Sequence, residues 1–417
     1  MMAAAAAGAW ATAAKGSGLA LPSPGAPPAD EAYWRGIAGQ YDLPSGVIQL
    51  ENGNWGMMAR PVAQAYERRT EMVNKATSLY SRSQAGPDIL RVRGRVAAML
   101  GVQPDEIAFT RGATESLLTL IGGYNRLRPG DEVLFADLDY DSMQAGFRWL
   151  KDRRGVGLVT LAIPEPATHQ GLIDAYARML EAHPRIRLML LTHVGHRTGL
   201  VMPVKEIVAL AKSRGVDVIL DSAHAWGQLD FDLRALGADF VGLTCQKWIG
   251  APMGVGLIYI RKDRLDAIDP AMGAEDDGHG GILGRVHTGT ANFAAFLALA
   301  DALDFHEAIG IRAKEARLRH LRDRWAEHFR SDARIDILTP PDPRLTCALT
   351  SFRLPGRTSV ADNKALAARL FERFRIFTVH RDGVANGACV RVTPGLFTGT
   401  DEIDHLIAAL DLLLRNG

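Results

Sequence analysis

Seven short apolar runs set the rhythm of the middle of the chain: IAFT (107–110), EVLFAD (132–137), VGLVTLAI (156–163), RLMLLTHV (187–194), VDVILD (216–221), DFVGLTC (239–245) and VGLIYI (255–260). They are rich in β-branched residues and leucine and do not alternate with polar positions. Strands of this kind are covered on both faces, so the pattern predicts a mainly parallel seven-stranded sheet between layers of helices, an α/β fold. Before it, EAYWRGIAGQYDL predicts a helical arm. GVIQLENGNWGMMARPV predicts a short extended segment that turns through Gly53 and Gly56 toward Pro61. A long helical stretch is expected from Val62 to Leu100, with a loop near Gly86 and Pro87. Beyond Asn292 the pattern is helical to Arg330 and then gives strand pieces LTSFRL, FRIFTVH and ACVRVTP among helices, a smaller α+β domain.

These patterns divide the chain into a leader (1–30), an arm (31–60), a large domain (61–292) and a small C-terminal domain (293–417), a division that 417 residues would require anyway. The leader, rich in Ala, Gly and Pro, has too little to bury and is expected to be disordered. It also resembles the remnant of an export signal whose basic start lies upstream of Met1. The protein is then expected in the cytoplasm as written, or in the periplasm if the leader is such a signal. No apolar run is long enough to cross a bilayer. A net charge of +1, with 47% hydrophobic and 23% charged residues, gives no reason to invoke nucleic acid or a membrane surface. The three cysteines, Cys245, Cys347 and Cys389, are scattered, which argues against a disulfide framework or a zinc site, and no metal is expected.

Chemistry enters with VDVILDSAHAWGQ and DFVGLTCQKWIG, which put Asp221 and Lys247 at the carboxyl ends of two strands. In an open α/β sheet those ends face the ligand crevice. Alone, Asp221 reads as a strand-end cap and Lys247 as a surface lysine. Together they suit pyridoxal phosphate, which needs an amine for its aldehyde and a carboxylate to keep its ring nitrogen protonated. Gly112, Ala113 and Thr114 open a helix after the first strand and offer an anion seat, or merely an ordinary helix start. Thr244 and Gln246, alternating with Cys245, add two side chains on one side. No GxGxxG or GxxxxGK is present to favour a dinucleotide or a P-loop nucleotide.

The order GATES, DLDYDS, HVGHRTG, DSAHAWGQ, CQKWIG, HTGTAN and VRVTPG resembles the class V aminotransferase family of fold type I pyridoxal phosphate enzymes. The DSAHAWGQ and QKW variants resemble its isopenicillin N epimerase-like branch. The resemblance implies that Lys247 is the Schiff-base lysine and proton carrier, Asp221 the pyridinium partner and His224 a partner of the ring hydroxyl. Tyr140 stands where relatives place a histidine that stacks on the ring. His196 stands where an asparagine is common. Gly289 and Thr290 match a turn that reaches the phosphate of a neighbouring subunit, which implies a homodimer with shared sites. Arg391 matches the arginine that binds a substrate carboxylate, a task suited to a guanidinium. Asn52, His380 and Arg381 are further candidates for substrate contact.

Loss of the α-proton is common to epimerisation, transamination and β-elimination. A desulfurase needs a mobile cysteine just before Arg391, and HRDGVANGA has none. The expected reaction is therefore epimerase-like chemistry at the α-carbon of a small amino-acid-like substrate, with transamination next and β-elimination third. A catalytically silent binding protein would be expected to have lost Lys247 or Asp221.

Overall fold

Successive residues of the central apolar runs face two different hydrophobic clusters, which is why those runs carry no polar alternation, whereas Thr160 on the edge run is exposed. Val218 and Leu220 enter one cluster and Ile219 the other; Met189 and Leu191 enter the first, Leu188 and Leu190 the second. The computed structural model describes residues 25–274 and 281–416. Across its seven-stranded sheet the order is Ile107–Thr110, Gly256–Ile260, Phe240–Thr244, Asp217–Asp221, Ile186–Thr192, Glu132–Ala136 and Gly157–Leu161. Only Gly256–Ile260 runs antiparallel to its neighbours. From Glu132–Ala136 the chain moves outward to the edge strand Gly157–Leu161, then returns inward to Ile186–Thr192. The reversal opens a crevice between Glu132–Ala136 and Ile186–Thr192 at their carboxyl ends.

The Ala113–Gly123 helix lies across the strand Phe240–Thr244, and Gly242 carries no side chain where Leu117 of that helix fills the space. Gly256 is bare for a similar reason: a Cβ there would meet the backbone of Gly112. The small residues around the helix start thus serve strand–helix packing as well as any ligand.

The long helical stretch breaks at Gln84, between Arg60–Ser83 and Ala85–Leu100, earlier than the loop expected at Gly86 and Pro87. Pro87 sits in the first turn of the second helix, where a backbone N–H has no helical partner and its absence costs little. FRIFTVH forms two pieces in different sheets. Ile376–Phe377 pairs with the arm strand Ile48–Gln49, and Val379–Arg381 joins the small-domain sheet. That sheet is antiparallel, in the order Val379–Arg381, Cys389–Val392, Thr350–Arg353, Asp336–Ile337.

The Phe293–Ile309 helix buries Ala295, Leu299, Leu303 and Ile309 in the large core. The following helix, Ile311–Ala326, gives Leu318 to the large core and Leu321 and Trp325 to the small one. Residues 1–24 of the expected leader lie outside the described residues. Its end is tied down: the Pro27 carbonyl accepts from Trp34 Nε1 (2.9 Å), the Pro28 carbonyl from Arg317 Nη1 (2.9 Å), and Asp30 caps the arm helix Glu31–Ala38. Among the described residues no helix is long and apolar enough to cross a membrane.

Candidate active site

Three strand ends and one loop build the floor of a cavity of about 1040 Å³. Asp221 closes its strand and accepts a hydrogen bond from the Ala223 N–H (2.9 Å). The chain then turns through DSAHAWGQ, where Gly227 adopts φ 91°. A side chain at Gly227 would collide with the Trp248 and Ile249 backbone, so this turn and the Lys247 segment lie directly against each other. Their contact brings His224 Nε2 within 2.9 Å of Lys247 Nζ. Trp248 Nε1–H, which can only donate, points at His224 Nδ1 (3.4 Å). That donor places the lone pair on Nδ1 and the proton on Nε2, facing the lysine amine.

The electrostatics agree. Burial pulls the Lys247 ammonium down to about 8, with Asp221 opposing the fall and Arg391 adding to it. Burial also lowers His224 well below the ordinary histidine range, and the neighbouring Lys247 lowers it further. Asp221 is raised by burial, against its backbone hydrogen bond and Lys247. Lowering the amine toward 8 leaves a fraction of it unprotonated near neutral pH, and the unprotonated amine is the form that can attack an aldehyde.

On the crevice side, Tyr140 follows Glu132–Ala136 and His196 follows Ile186–Thr192. Their rings meet edge to face at 5.3 Å between centroids. Tyr140 is 41% exposed at the mouth, whereas His196 is half-buried. Arg197 Nε donates to His196 Nε2 (3.3 Å), so the imidazole proton belongs on Nδ1, a buried atom with no hydrogen-bond partner. Gly112, Ala113 and Thr114 line the cavity at the N-terminus of the Ala113–Gly123 helix, with Thr244 and Gln246 also on its wall. Thr244 Oγ1 is hydrogen-bonded to Gln246 Oε1.

The rim comes from the small domain. Arg391 and Arg381 line the cavity, with Gly53 and Asn54 of the arm beside them. Arg391 is committed on two sides: Nη1 donates to the His196 carbonyl (2.6 Å), and Nη2 pairs with Glu51. Its Nε has no partner, and burial lowers its pKa to about 10 against the pull of Glu51. Arg381 Nη2 lies 3.7 Å from the same Glu51 oxygen. His380 does not line the cavity, because neighbours on an extended strand point to opposite sides. Asn52 lies behind Lys247, on a second cavity of about 20 Å³. Gly289 and Thr290 are exposed and away from the main cavity of this chain.

Residues not singled out from the sequence complete the site. Glu51 stands next to Asn52 in LENGNWG, and its only signal was a carboxylate in an otherwise uncharged turn. Thr192 lines the cavity and donates to Asp139 Oδ1 (2.6 Å), a carboxyl that burial raises to about 7. Gly56 donates its N–H to the Gln246 carbonyl (2.7 Å), and a side chain there would run into the Lys247 carbonyl oxygen. The turn expected through Gly56 thus holds the arm against the lysine.

The donor set fits pyridoxal phosphate. It includes a poised amine, a buried carboxylate, an open helix N-terminus for a phosphate, and an unpartnered imidazole N–H for a ring oxygen. Comparison with known proteins agrees. The model of the aminotransferase class-V family matches residues 59–369. The isopenicillin N epimerase of Streptomyces clavuligerus is 29% identical over 403 residues, 92% of this chain and 98% of that protein. The isopenicillin N epimerase of Amycolatopsis lactamdurans is 30% identical over 400 residues, again 92% of this chain and 99% of that protein. Among solved structures, the apo cysteine desulfurase of Thermococcus onnurineus superposes with a TM-score of 0.80 at 20% identity, over 95% of this chain and 100% of that one. A C-DES mutant with glycine covalently linked to its PLP cofactor superposes at 0.76 with 23% identity, over 88% of this chain and 96% of that one. The chain belongs to the class-V aminotransferase family, has the fold of the type I enzymes, and uses pyridoxal 5′-phosphate as its cofactor.

Proposed function

We propose that this enzyme moves the α-proton of an amino-acid-like substrate in an epimerase-like reaction. The observation that carries the reading is the convergence, in one cavity, of Lys247, its amine lowered toward 8, and the paired rings of Tyr140 and His196. Bound there, pyridoxal phosphate supplies an electron sink for the pair left on the α-carbon. Asp221 would keep the ring nitrogen protonated, and His196 Nδ1–H, with His224 Nε2–H once Lys247 is engaged, would be the donors available to the ring oxygen. The helix start at Gly112, Ala113 and Thr114 seats the phosphate, with Thr244 and Gln246 beside it. Lys247 removes and returns the α-proton on one side.

Inversion needs a second proton carrier on the other side. Tyr140 is our choice, because the His196 lone pair is already engaged by Arg197. The substrate carboxylate meets Arg391 and Arg381. A cavity of about 1040 Å³ leaves room for more than a simple amino acid, which favours a peptide-like or secondary-metabolite scaffold. The likeness to two isopenicillin N epimerases over almost their whole length supports this branch.

Transamination is the second reading. It is favoured by Tyr140 itself, since a phenol is a weak acid–base group near neutral pH and transamination needs only Lys247. Desulfuration is disfavoured because Cys245, Cys347 and Cys389 are all buried, and burial raises each thiol. The exposed Gly289 and Thr290 are proposed to complete the phosphate seat of a second copy, giving a homodimer; a monomeric mass in solution would count against it.

The test is incubation of the loaded enzyme with single enantiomers of amino acids and aminoacyl peptides in deuterium oxide. Epimerisation predicts the opposite enantiomer with deuterium at the α-carbon, and loss of that product in Tyr140→Phe. An oxo-acid, with bleaching of the cofactor band, would replace this reading with transamination.

A further inference from the structure

Behind Lys247, on the side away from the main cavity, two buried side chains hold the backbone that follows it. His306 ends one helix, Phe293–Ile309, and Lys314 lies in the first turns of the next, Ile311–Ala326. Gly310 between them adopts φ 85°, a left-handed conformation that lets the two helices meet at an angle and their side chains converge. His306 Nε2 lies 3.0 Å from the Ile249 carbonyl, and Lys314 Nζ is hydrogen-bonded to the Trp248 carbonyl. The amine also lies 3.1 Å from both ring nitrogens of His306, of which only Nδ1 can accept once Nε2–H is given to Ile249.

Counting donors identifies the state of the group. His306 Nε2–H is spent on Ile249, so Nδ1 carries the lone pair. A neutral Lys314 amine has two N–H groups, one for that lone pair and one for Trp248. An ammonium would have a third with no partner among the described residues, where no carboxylate pairs with Lys314, which is 3% exposed. Burial lowers its pKa well below the ordinary lysine value, in agreement with the count.

We propose that Lys314, with His306, is a positioning residue for Lys247. Together they fix the two peptide carbonyls after the lysine, and so set the direction from which its amine enters the main cavity. Gly56 and Gly227 press on the same backbone from the arm and from the DSAHAWGQ turn. The clamp therefore completes a three-sided hold on this segment. It also ties Lys247 to the small domain, because the helix that carries Lys314 gives Leu321 and Trp325 to the small-domain core.

The inference rests on the reading of Lys247 as the amine that takes up the cofactor. The test uses Lys314→Met, which keeps length and apolar bulk but donates nothing, and Lys314→Gln, which restores a neutral N–H donor. The dissociation constant for pyridoxal phosphate, the absorbance of the bound cofactor, and kcat and KM are measured for each. Lys314→Met is expected to weaken cofactor binding about tenfold and to lower kcat about tenfold with KM unchanged, while Lys314→Gln returns most of both. If Lys314→Met matches the parent, or if Lys314→Gln is as impaired as Lys314→Met at equal melting temperature, Lys314 only fills space and the inference fails. Should Lys314→Met not fold, a Lys314→Gln protein with parental cofactor affinity and kcat still supports a neutral hydrogen bond, and one with neither overturns it. A parent that takes up no pyridoxal phosphate would instead sink the reading of Lys247.

Discussion

The floor and the rim of this cavity are built by different means. The floor groups, Asp221, Lys247 and His224, stand at or just after the ends of two neighbouring strands, so the sheet register brings their segments together before the Gly227 and Gly56 contacts fix them. The rim is drawn from an arm residue, Glu51, and from Arg381 and Arg391 of two small-domain strands. Its central ion pair joins positions 340 residues apart. The floor is placed chiefly by the large sheet, whereas the rim depends on the arm and the C-terminal four-stranded sheet meeting correctly. Chemistry should therefore fail when the floor is changed, and recognition should fail when the rim is changed.

The largest effects are expected on the floor. Lys247→Ala should lower kcat about 10⁴-fold or more and abolish the visible band of the bound cofactor, because it removes the proposed nucleophile and proton carrier. Asp221→Asn keeps the shape but not the charge. It should lower kcat about 10²- to 10³-fold with little change in KM, as read from steady-state rates. A large KM change with unaltered kcat in either variant would erase the distinction between floor and rim.

On the rim, Arg391→Lys keeps a charge but loses the planar fork, so KM should rise about a hundredfold while the absorbance of the bound cofactor stays parental. Glu51→Gln should give the same kind of response and, in addition, lower stability by about 3 kcal/mol, because it leaves a buried guanidinium without its counter-charge. Thermal melting of the two variants separates the effects. Arg381 is 27% exposed and more loosely held, so Arg381→Ala should raise KM about twentyfold, with kcat within about twofold of the parent. His380→Ala, one residue away on the opposite side of the strand, should leave both constants unchanged.

The same contrast decides what could be read from the sequence. Asp221, Lys247 and the Gly112 turn were legible because continuous apolar runs announce parallel strands, and the ends of parallel strands share a crevice. Apolar periodicity carried most of the large sheet, with strand bounds close to those observed. It failed where length and neighbours decide, as in FRIFTVH, which two sheets divide between them. Glu51, Lys314 and His306 were not legible. Each acts through a backbone or guanidinium partner remote in sequence, and a lone Glu, Lys or His in a helix or turn reads as a surface residue until the fold buries it. Arg391 was singled out as a candidate and lines the cavity, but its engagement by Glu51 was not legible, since no pattern in either segment points to the other.

The smallest predicted effect separates a floor that presets its amine from one that does not. Before the cofactor is added, Lys247 is drawn down to about 8 by burial, with Asp221 opposing and Arg391 reinforcing the change. Capture of the aldehyde needs the neutral amine, so its rate should rise as pH increases through about 8. Between pH 7 and pH 9 the neutral fraction of such a group grows about tenfold and then levels off, whereas a lysine at its ordinary value would gain about a hundredfold and still be climbing. Stopped-flow absorbance during addition of pyridoxal phosphate measures the rate. The linkage has the same sign: the folded protein sheds this proton before the unfolded chain does, so the Lys247 contribution to stability improves as pH rises from about 8 toward the ordinary lysine value. Arg391→Gln removes one of the charges that lowers the lysine and should move the plateau to higher pH. Arg381→Gln should move it in the same direction but less, because its effect on Lys247 is the weaker of the two. Equal plateaus in parent and both variants would mean that the rim does not act on the floor through charge, leaving burial alone to set the lysine.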